Sequence, residues 1–187
     1  MNKIDKFPLK RRHESKTDYD QRLNILKSDK PRFVVRKSEK HFQVQVSQYS
    51  EEGDLVVTSS HSNQLKEFGW KYSTQNTPAA YLTGYLCGFR AIEKDIEAAV
   101  PDIGLNPISA GSTVFAVIKG AIDAGLDVPA GESVLPPSER IRGQHIAEYA
   151  DQSEGSEDTE DTATVSSDKI PEHFEQVKNN IKEYFGV

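Results

Sequence analysis

Polar and apolar positions alternate most regularly between Pro31 and Val46, PRFVVRKSEKHFQVQV. Phe42, Val44 and Val46 interleave with His41, Gln43 and Gln45, the period-2 pattern of a strand with one dry and one wet face. The polar turn Lys37, Ser38, Glu39 and Lys40 divides this run from an apolar one before it, so the stretch predicts a hairpin with a basic tip. Glu51 to Asp54 reads as another turn and Leu55 to Ser60 as a third strand, which makes an antiparallel meander.

The period then changes to that of helices. Before the hairpin, TDYDQRLNILKS predicts a helix with Thr17 as N-cap, Asp18 and Asp20 near its positive end and Lys27 in its last turn. Tyr19, Leu23 and Leu26 share one face, leaving Arg22 free to point away from the core. Leu65 to Trp70 reads as a short helical turn stopped at Gly69. Asn76, Thr77 and Pro78 then open a helix of about 20 residues, with Leu82, Tyr85, Leu86, Phe89, Ile92 and Ile96 on one broad face. Gly84 and Gly88, one turn apart, imply close approach of another backbone: the sheet is the expected neighbour, RNA the alternative. Ala98 to Ile103 predicts a fourth strand, parallel to a neighbour after the helical crossover.

Ser112 caps the next helix, carried by Val114, Phe115, Val117, Ile118, Ala121 and Ile122 and ended at Gly125. Ser138 to Ala150 holds few apolar residues for a core segment and reads as a contact element. Asp151 to Asp168, with seven acids and no base, reads as a solvated linker. Helical spacing returns at Phe174, Val177, Ile181 and Tyr184, predicting a terminal helix that docks on the domain or on a partner.

Charge sharpens this picture. The chain of 187 residues has net charge −6, but residues 1–45 hold 13 Lys and Arg against 6 Asp and Glu, whereas the rest hold 10 against 23. A basic segment on an acidic protein points to a localised polyanion site. The lone Cys87 excludes a disulfide framework and suits a reducing compartment; its apolar setting makes it a buried hydrophobe. No apolar run approaches the roughly 18 residues of a membrane span, and the expectation is a soluble, non-secreted protein.

The residue types of the first third suit nucleic acid, with an ordinary solvated hairpin as the open alternative. Arg11, Arg12, Arg32 and Arg36 have guanidinium groups that bond phosphates in pairs or stack on bases. Lys10, Lys16, Lys37 and Lys40 add looser neutralisation, and Tyr19, Arg22, His41 and Gln43 complete the candidate set. Arg140, Arg142 and His145 form a second small basic cluster. Ser109 to Ser112 could cradle a phosphate but lacks a Walker lysine, and an ordinary helix cap accounts for it. Adjacent His61 and Ser62 would face opposite sides of a strand, so no hydrolase site can be assembled; no catalytic residue, metal ligand or cofactor is expected.

Several long segments in order resemble one family: TDYDQRLNILKSDKPRFVVRKSEKH, TPAAYLTG from Thr77, DIGLNP from Asp102, GSTVFAVIKGAIDAGL from Gly111 and ERIRGQHIAEYA from Glu139. The chain resembles, from roughly Lys10 to Ala150, the archaeal type of the large-subunit ribosomal protein L-eighteen family, which binds 5S rRNA. The resemblance implies an α/β fold: a mixed, mainly antiparallel sheet of about four strands with helices packed on one face. To this the sequence adds a basic N-terminal arm and a C-terminal helical extension. The implied organisation is a basic arm over 1–16, a 5S rRNA-binding domain over 17–150, an acidic linker over 151–168 and a terminal helix over 169–187. It further implies a structural, non-enzymatic role in the central protuberance, holding 5S rRNA against the large rRNA beside neighbouring ribosomal proteins, with no membrane or small-molecule substrate. The arm from Lys10 to Lys16 would reach into rRNA, the Arg32 to His41 hairpin would meet 5S rRNA, and Arg140 to His145 would lie near RNA or a neighbouring protein. The acidity is unusual for such a family, and a scaffold that recruits a basic partner through the acidic C-terminal region is the competing reading.

Overall fold

The computed structural model describes residues 10–14, 16–153 and 169–186; the first nine residues of the arm and most of the acidic linker lie outside that range. Strands β1 (Arg32–Lys37), β2 (Phe42–Gln48), β3 (Leu55–His61) and β4 (Val100–Asp102) form one mixed sheet in the order β3-β2-β1-β4. The hairpin pairs Lys37 with Phe42, and its tip is closed by Ser38 N–H donating to His41 O at 2.8 Å and by the Ser38 hydroxyl donating to the same oxygen at 2.9 Å. Lys37 thus belongs to the strand, and the turn runs from Ser38 to His41. Strand β3 pairs antiparallel with β2, and β4 is parallel to β1, as the crossover requires. The fourth strand is shorter than expected, with Ala98 only bridged to Asp127.

Alternation decides which face is dry. Phe33, Val35, Phe42, Val44 and Val46 are fully buried beneath helix α3 (Thr77–Ile92), which packs on β2 and β3, and helix α4 (Thr113–Asp123), which reaches β1. Asn76 caps α3 through its side chain, accepting from Ala79 N–H at 2.9 Å, with Pro78 in the first turn. The helix ends at Ile92, so Ile96 lies beyond it in the following turn.

The close approach marked by Gly84 and Gly88 is to α4, not to the sheet. A Cβ on Gly84 would lie 1.9 Å from Val117 O, and one on Gly120 of α4 would lie 2.1 Å from Tyr81 O. The two helices therefore meet backbone to backbone, and the glycines cost helix propensity for the sake of that contact. Cys87 on this helix is fully buried, and burial pushes its thiol up to about 12, consistent with a packing role.

Helix α1 (Lys10–His13) and helix α2 (Tyr19–Leu26) bury no residue, so the apolar face expected from Tyr19, Leu23 and Leu26 does not enter the core; Leu23 is 58% exposed. The N-cap is Asp18 in place of Thr17, because the Asp18 carboxylate accepts from Asp20 N–H at 3.0 Å and Gln21 N–H at 3.1 Å. Helix α5 (Ser138–Arg142) breaks at Gly143, whose φ of +84° ends it, and helix α6 (Gln144–Ser153) follows. Ile141 is buried where α5 packs on α3, which makes the predicted contact element part of the domain.

Helix α7 (Ile170–Phe185) docks back on the same core. Phe174, Val177 and Ile181 are at most 1% exposed, the Phe174 ring lies 5.4 Å from Tyr81, and Phe185 stacks on Phe89 at 5.3 Å. His173 stacks on Trp70 at 5.8 Å and its Nε2 lies 2.9 Å from Gly69 O; Asn180 donates to Phe68 O at 2.9 Å. Tyr184, expected on the same apolar face, is instead 69% exposed. With three large side chains each contributing about 1.5–3 kcal/mol by burial, α7 is held firmly.

Gly84→Ala is expected to destabilise the fold by about 1–3 kcal/mol, because overpacking against Val117 outweighs the gain in helix propensity. Chemical denaturation checks this, and a variant as stable as the parent would refute the backbone contact.

Candidate nucleic-acid interface

The face of the sheet turned away from α3 carries the alternate residues Arg32, Val34, Arg36, Gln43 and Gln45. Parallel pairing sets Asp102 beside Val34, so its carboxylate falls between the two arginines that flank Val34 along β1. Arg32 Nη1 donates to Asp102 Oδ2 at 2.7 Å, and Arg36 Nη2 donates to Asp102 Oδ1 at 3.0 Å. The other end of Arg32 bonds Asp54, in the turn before β3, and Asp54 also accepts from Arg22 of α2 at 2.7 Å. Arg22, Asp54, Arg32, Asp102 and Arg36 thus form one alternating chain of charge across the sheet, tying α2, the β2–β3 turn, β1 and β4 together.

The positions in this chain differ in exposure. Arg32 has a side chain only 4% exposed, whereas that of Arg36 is 47% exposed. Arg36 Nη1 also donates to Val35 O and Asp102 O, both at 2.9 Å, which fixes the guanidinium in place. Gly104, at φ +62°, makes room: a Cβ there would lie 3.1 Å from Arg36 Nη1. Its N–H donates to Asp102 Oδ1 at 3.0 Å, so the Asp-Ile-Gly turn both seats the arginine and orients the acid. Burial alone would raise both carboxyls, but Arg22 and Arg32 at Asp54, and Arg36 and Arg32 at Asp102, hold them below the usual carboxylate range.

A groove of about 600 Å³ opens over this face, lined among others by Arg11, Lys16, Tyr19, Arg22, Arg36 and Asn106. Its acids are engaged: Asp18 caps α2, and Asp54 and Asp102 are ion-paired. Arg11 is set by Nε donating to Thr17 Oγ1 at 2.9 Å. Lys10 and Arg12 are exposed on α1; Arg12 pairs with Asp20 at 3.4 Å and Lys16 with Glu14 at 2.9 Å. These exposed pairs are weak enough to exchange for a phosphate. Lys37, Lys40 and Gln43 are exposed on and beside the hairpin tip, with His41 half-buried next to them.

The geometry places several of the candidate residues differently from open surface cations. Arg32 does not offer its guanidinium to a ligand, because two carboxylates hold it inside the protein. Arg22 is not free but anchors α2 to Asp54. Arg142 pairs with Glu175 of α7 at 3.1 Å, and His145 is half-buried on α6, where burial and the nearby Arg140 charge, opposed by Glu148, lower its pKa. Arg140 is exposed, but this second cluster belongs to the helical layer and does not join the groove. Asp54 and Asp102, which position the arginines, were not singled out from sequence as site residues; the only signal was the Asp-Ile-Gly segment. Ser112 occupies the N-cap position of α4 without a side-chain cap hydrogen bond. His61 and Ser62 do not meet as an acid–base pair: His61 Nδ1 accepts from Asn63 N–H at 3.2 Å and Ser62 Oγ from Phe42 N–H at 3.1 Å. Among the described residues no group of three metal-ligating side chains converges, and no helix is long and apolar enough to cross a membrane.

A mixed sheet with helices packed on one face and a fixed, half-exposed Arg36 on the other defines an α/β protein, and comparison with known proteins is specific. The model for the family described as "Ribosomal large subunit proteins 60S L5, and 50S L18" matches residues 5–100. The large ribosomal subunit protein uL18 of Halobacterium salinarum is 50% identical over 178 residues, covering 95% of this chain and 96% of that protein. Its counterpart in Haloarcula marismortui is 48% identical over 176 residues, covering 94% and 92%, and that of Methanothermobacter thermautotrophicus is 48% identical over 183 residues, covering 95% of each. The chain belongs to this family of large-subunit ribosomal proteins. It is therefore a structural constituent of the cytoplasmic ribosome, from a family not known to be enzymatic, with rRNA and ribosomal proteins as partners. The match to relatives extends past Ala150 into α7, whose apolar face packs on the core.

Removing Asp102 leaves Arg32 buried with one partner fewer, so Asp102→Asn is expected to cost about 3–5 kcal/mol at neutral pH. Both carboxyls bind protons more weakly in the folded chain than in the unfolded one. Their contribution is full above about pH 4 and is lost as pH falls through the lowered folded values. Urea unfolding of parent and variant at pH 7 and pH 3 checks both points: equal stability at pH 7, or an unchanged gap at pH 3, would count against the network.

Proposed function

We propose that the chain binds 5S rRNA and attaches it to the large rRNA in the central protuberance of the large subunit. The observation that carries this reading is the outer sheet face, where Arg36 is fixed and half-exposed beside a cationic groove and a hairpin tip bearing Lys37 and Lys40. Prearranged guanidinium groups lose little entropy on meeting phosphates, and a pleated face with Gln43 and His41 suits the sugars and bases of folded RNA. Affinity then comes from phosphate neutralisation, and specificity from RNA shape and 2′-hydroxyl contacts.

The division of labour proposed along the chain is a basic arm over 1–16, an RNA-binding domain over 17–150, an acidic linker over 151–168 and a terminal helix over 169–187. In that scheme Lys10, Arg11, Arg12 and Lys16 close over the RNA, while Arg36, Lys37, Lys40, His41 and Gln43 form the fixed platform. Arg32 and Arg22 position the platform from within. Arg140 serves a separate contact with RNA or a neighbouring protein.

Binding of the purified chain to 5S rRNA across a salt series, with tRNA as competitor, tests the reading. With about six phosphates neutralised, log K is expected to fall with log salt at a slope on the order of −4 to −5 and to survive the competitor. A flat slope, or binding abolished by tRNA, would reject a specific site. Deleting residues 1–16 is expected to weaken binding and flatten the slope; an unchanged slope would remove the arm from the interface.

A further inference from the structure

Beside the hairpin tip lies a second recess, of about 350 Å³, lined mainly by Lys40, His41, Lys66, Ser73, Thr74 and Gln75. Its far wall comes from residues some thirty positions along the chain, and Glu39 is the one acid on its rim. The size falls at the lower end of small-ligand sites, about 300–1,000 Å³.

Hydrogen bonding fixes what His41 presents there. Thr74 Oγ1 donates its single hydrogen to Lys40 O at 2.9 Å, so at 3.0 Å from His41 Nδ1 it acts as an acceptor, and Nδ1 carries the ring hydrogen. Ser62 Oγ lies 3.3 Å from the same nitrogen. In the neutral ring Nε2 is then a bare lone pair, with no hydrogen-bond partner among the described residues. The recess therefore combines the His41 ring with the ammonium groups of Lys40 and Lys66, both exposed.

Two ammonium groups suit a phosphate, and a neighbouring acceptor suits a hydroxyl or a base N–H. One ribonucleotide supplies both, since its 2′-hydroxyl adjoins a phosphate. We propose that this recess holds a single nucleotide of the bound RNA, with a phosphate at Lys40 and Lys66 and a sugar or base donor on His41 Nε2. The inference rests on the RNA-binding reading above and adds Lys66, Thr74 and Gln75 to the interface.

Binding of full-length parent, Lys66→Ala and His41→Asn to 5S rRNA across a salt series tests it, with Lys71→Ala as an exposed neighbour outside the recess. Lys66→Ala is expected to bind about three- to tenfold more weakly and to lower the salt slope by about 1, one phosphate contact. His41→Asn keeps an N–H for Thr74 but loses the Nε2 acceptor, so it is expected to weaken binding about three- to tenfold with the slope unchanged. Lys71→Ala is expected to match the parent. If the parent binds steeply and both recess variants match it, or if Lys71→Ala loses as much as Lys66→Ala, the recess is overturned while the RNA reading stands. If the parent itself binds with a flat slope, both fall together.

Discussion

Arg32 is held between two carboxylates under the open face of the sheet, and the rest of the interface depends on that arrangement. Its side chain is almost wholly removed from water, which for a lone guanidinium would be prohibitive. Asp102 and Asp54 make it tolerable, and each then spends its remaining capacity on a second arginine, Arg36 or Arg22. A buried ion pair of this kind adds little net stability compared with an apolar substitute. What it adds is placement: α2, a turn and two strands cannot shift independently without stranding a charge.

The two faces of the sheet differ in what covers them. On the dry face, α3 and α4 approach at Gly84 and Gly120 so closely that no side chain fits between them, and α7 closes the remaining apolar surface with Phe174, Val177 and Ile181. On the wet face, α1 and α2 contribute no buried residue, and apart from the buried Arg32 the cations there are exposed or only partly tied to acids. A ribosomal protein with net negative charge can therefore still present a cationic surface, because its positive charge is concentrated where the core does not need to be sealed.

Much of the architecture was legible in residue order. The period-2 pattern at Phe42, Val44 and Val46 set the buried face of β2, the turn at Glu51 to Asp54 set the meander, and Asn76-Thr77-Pro78 set the start of α3. These signals are local, since each residue's burial or capping follows from neighbours within a turn or a strand. Asp18 displaced Thr17 as the N-cap by a single position, which local chemistry allows at either residue. Leu23 and Tyr184 broke their apolar stripes because a stripe reports what a helix could bury, not what the fold brings against it.

The sequence by itself determined the classes of element, the concentration of basic residues in the first third and the family likeness, because each is written in residues near one another in the chain. Only the tertiary structure decided which cations are presented. Arg32 and Arg36 are four residues apart on one face of one strand, yet Asp54 and Asp102 turn the first into an internal strut and leave the second on the surface. Thr74, thirty-three positions from His41, is brought within hydrogen-bond reach of Nδ1 of that ring. Such choices depend on which distant acceptor the folded chain places within hydrogen-bond reach, and no local pattern carries that information.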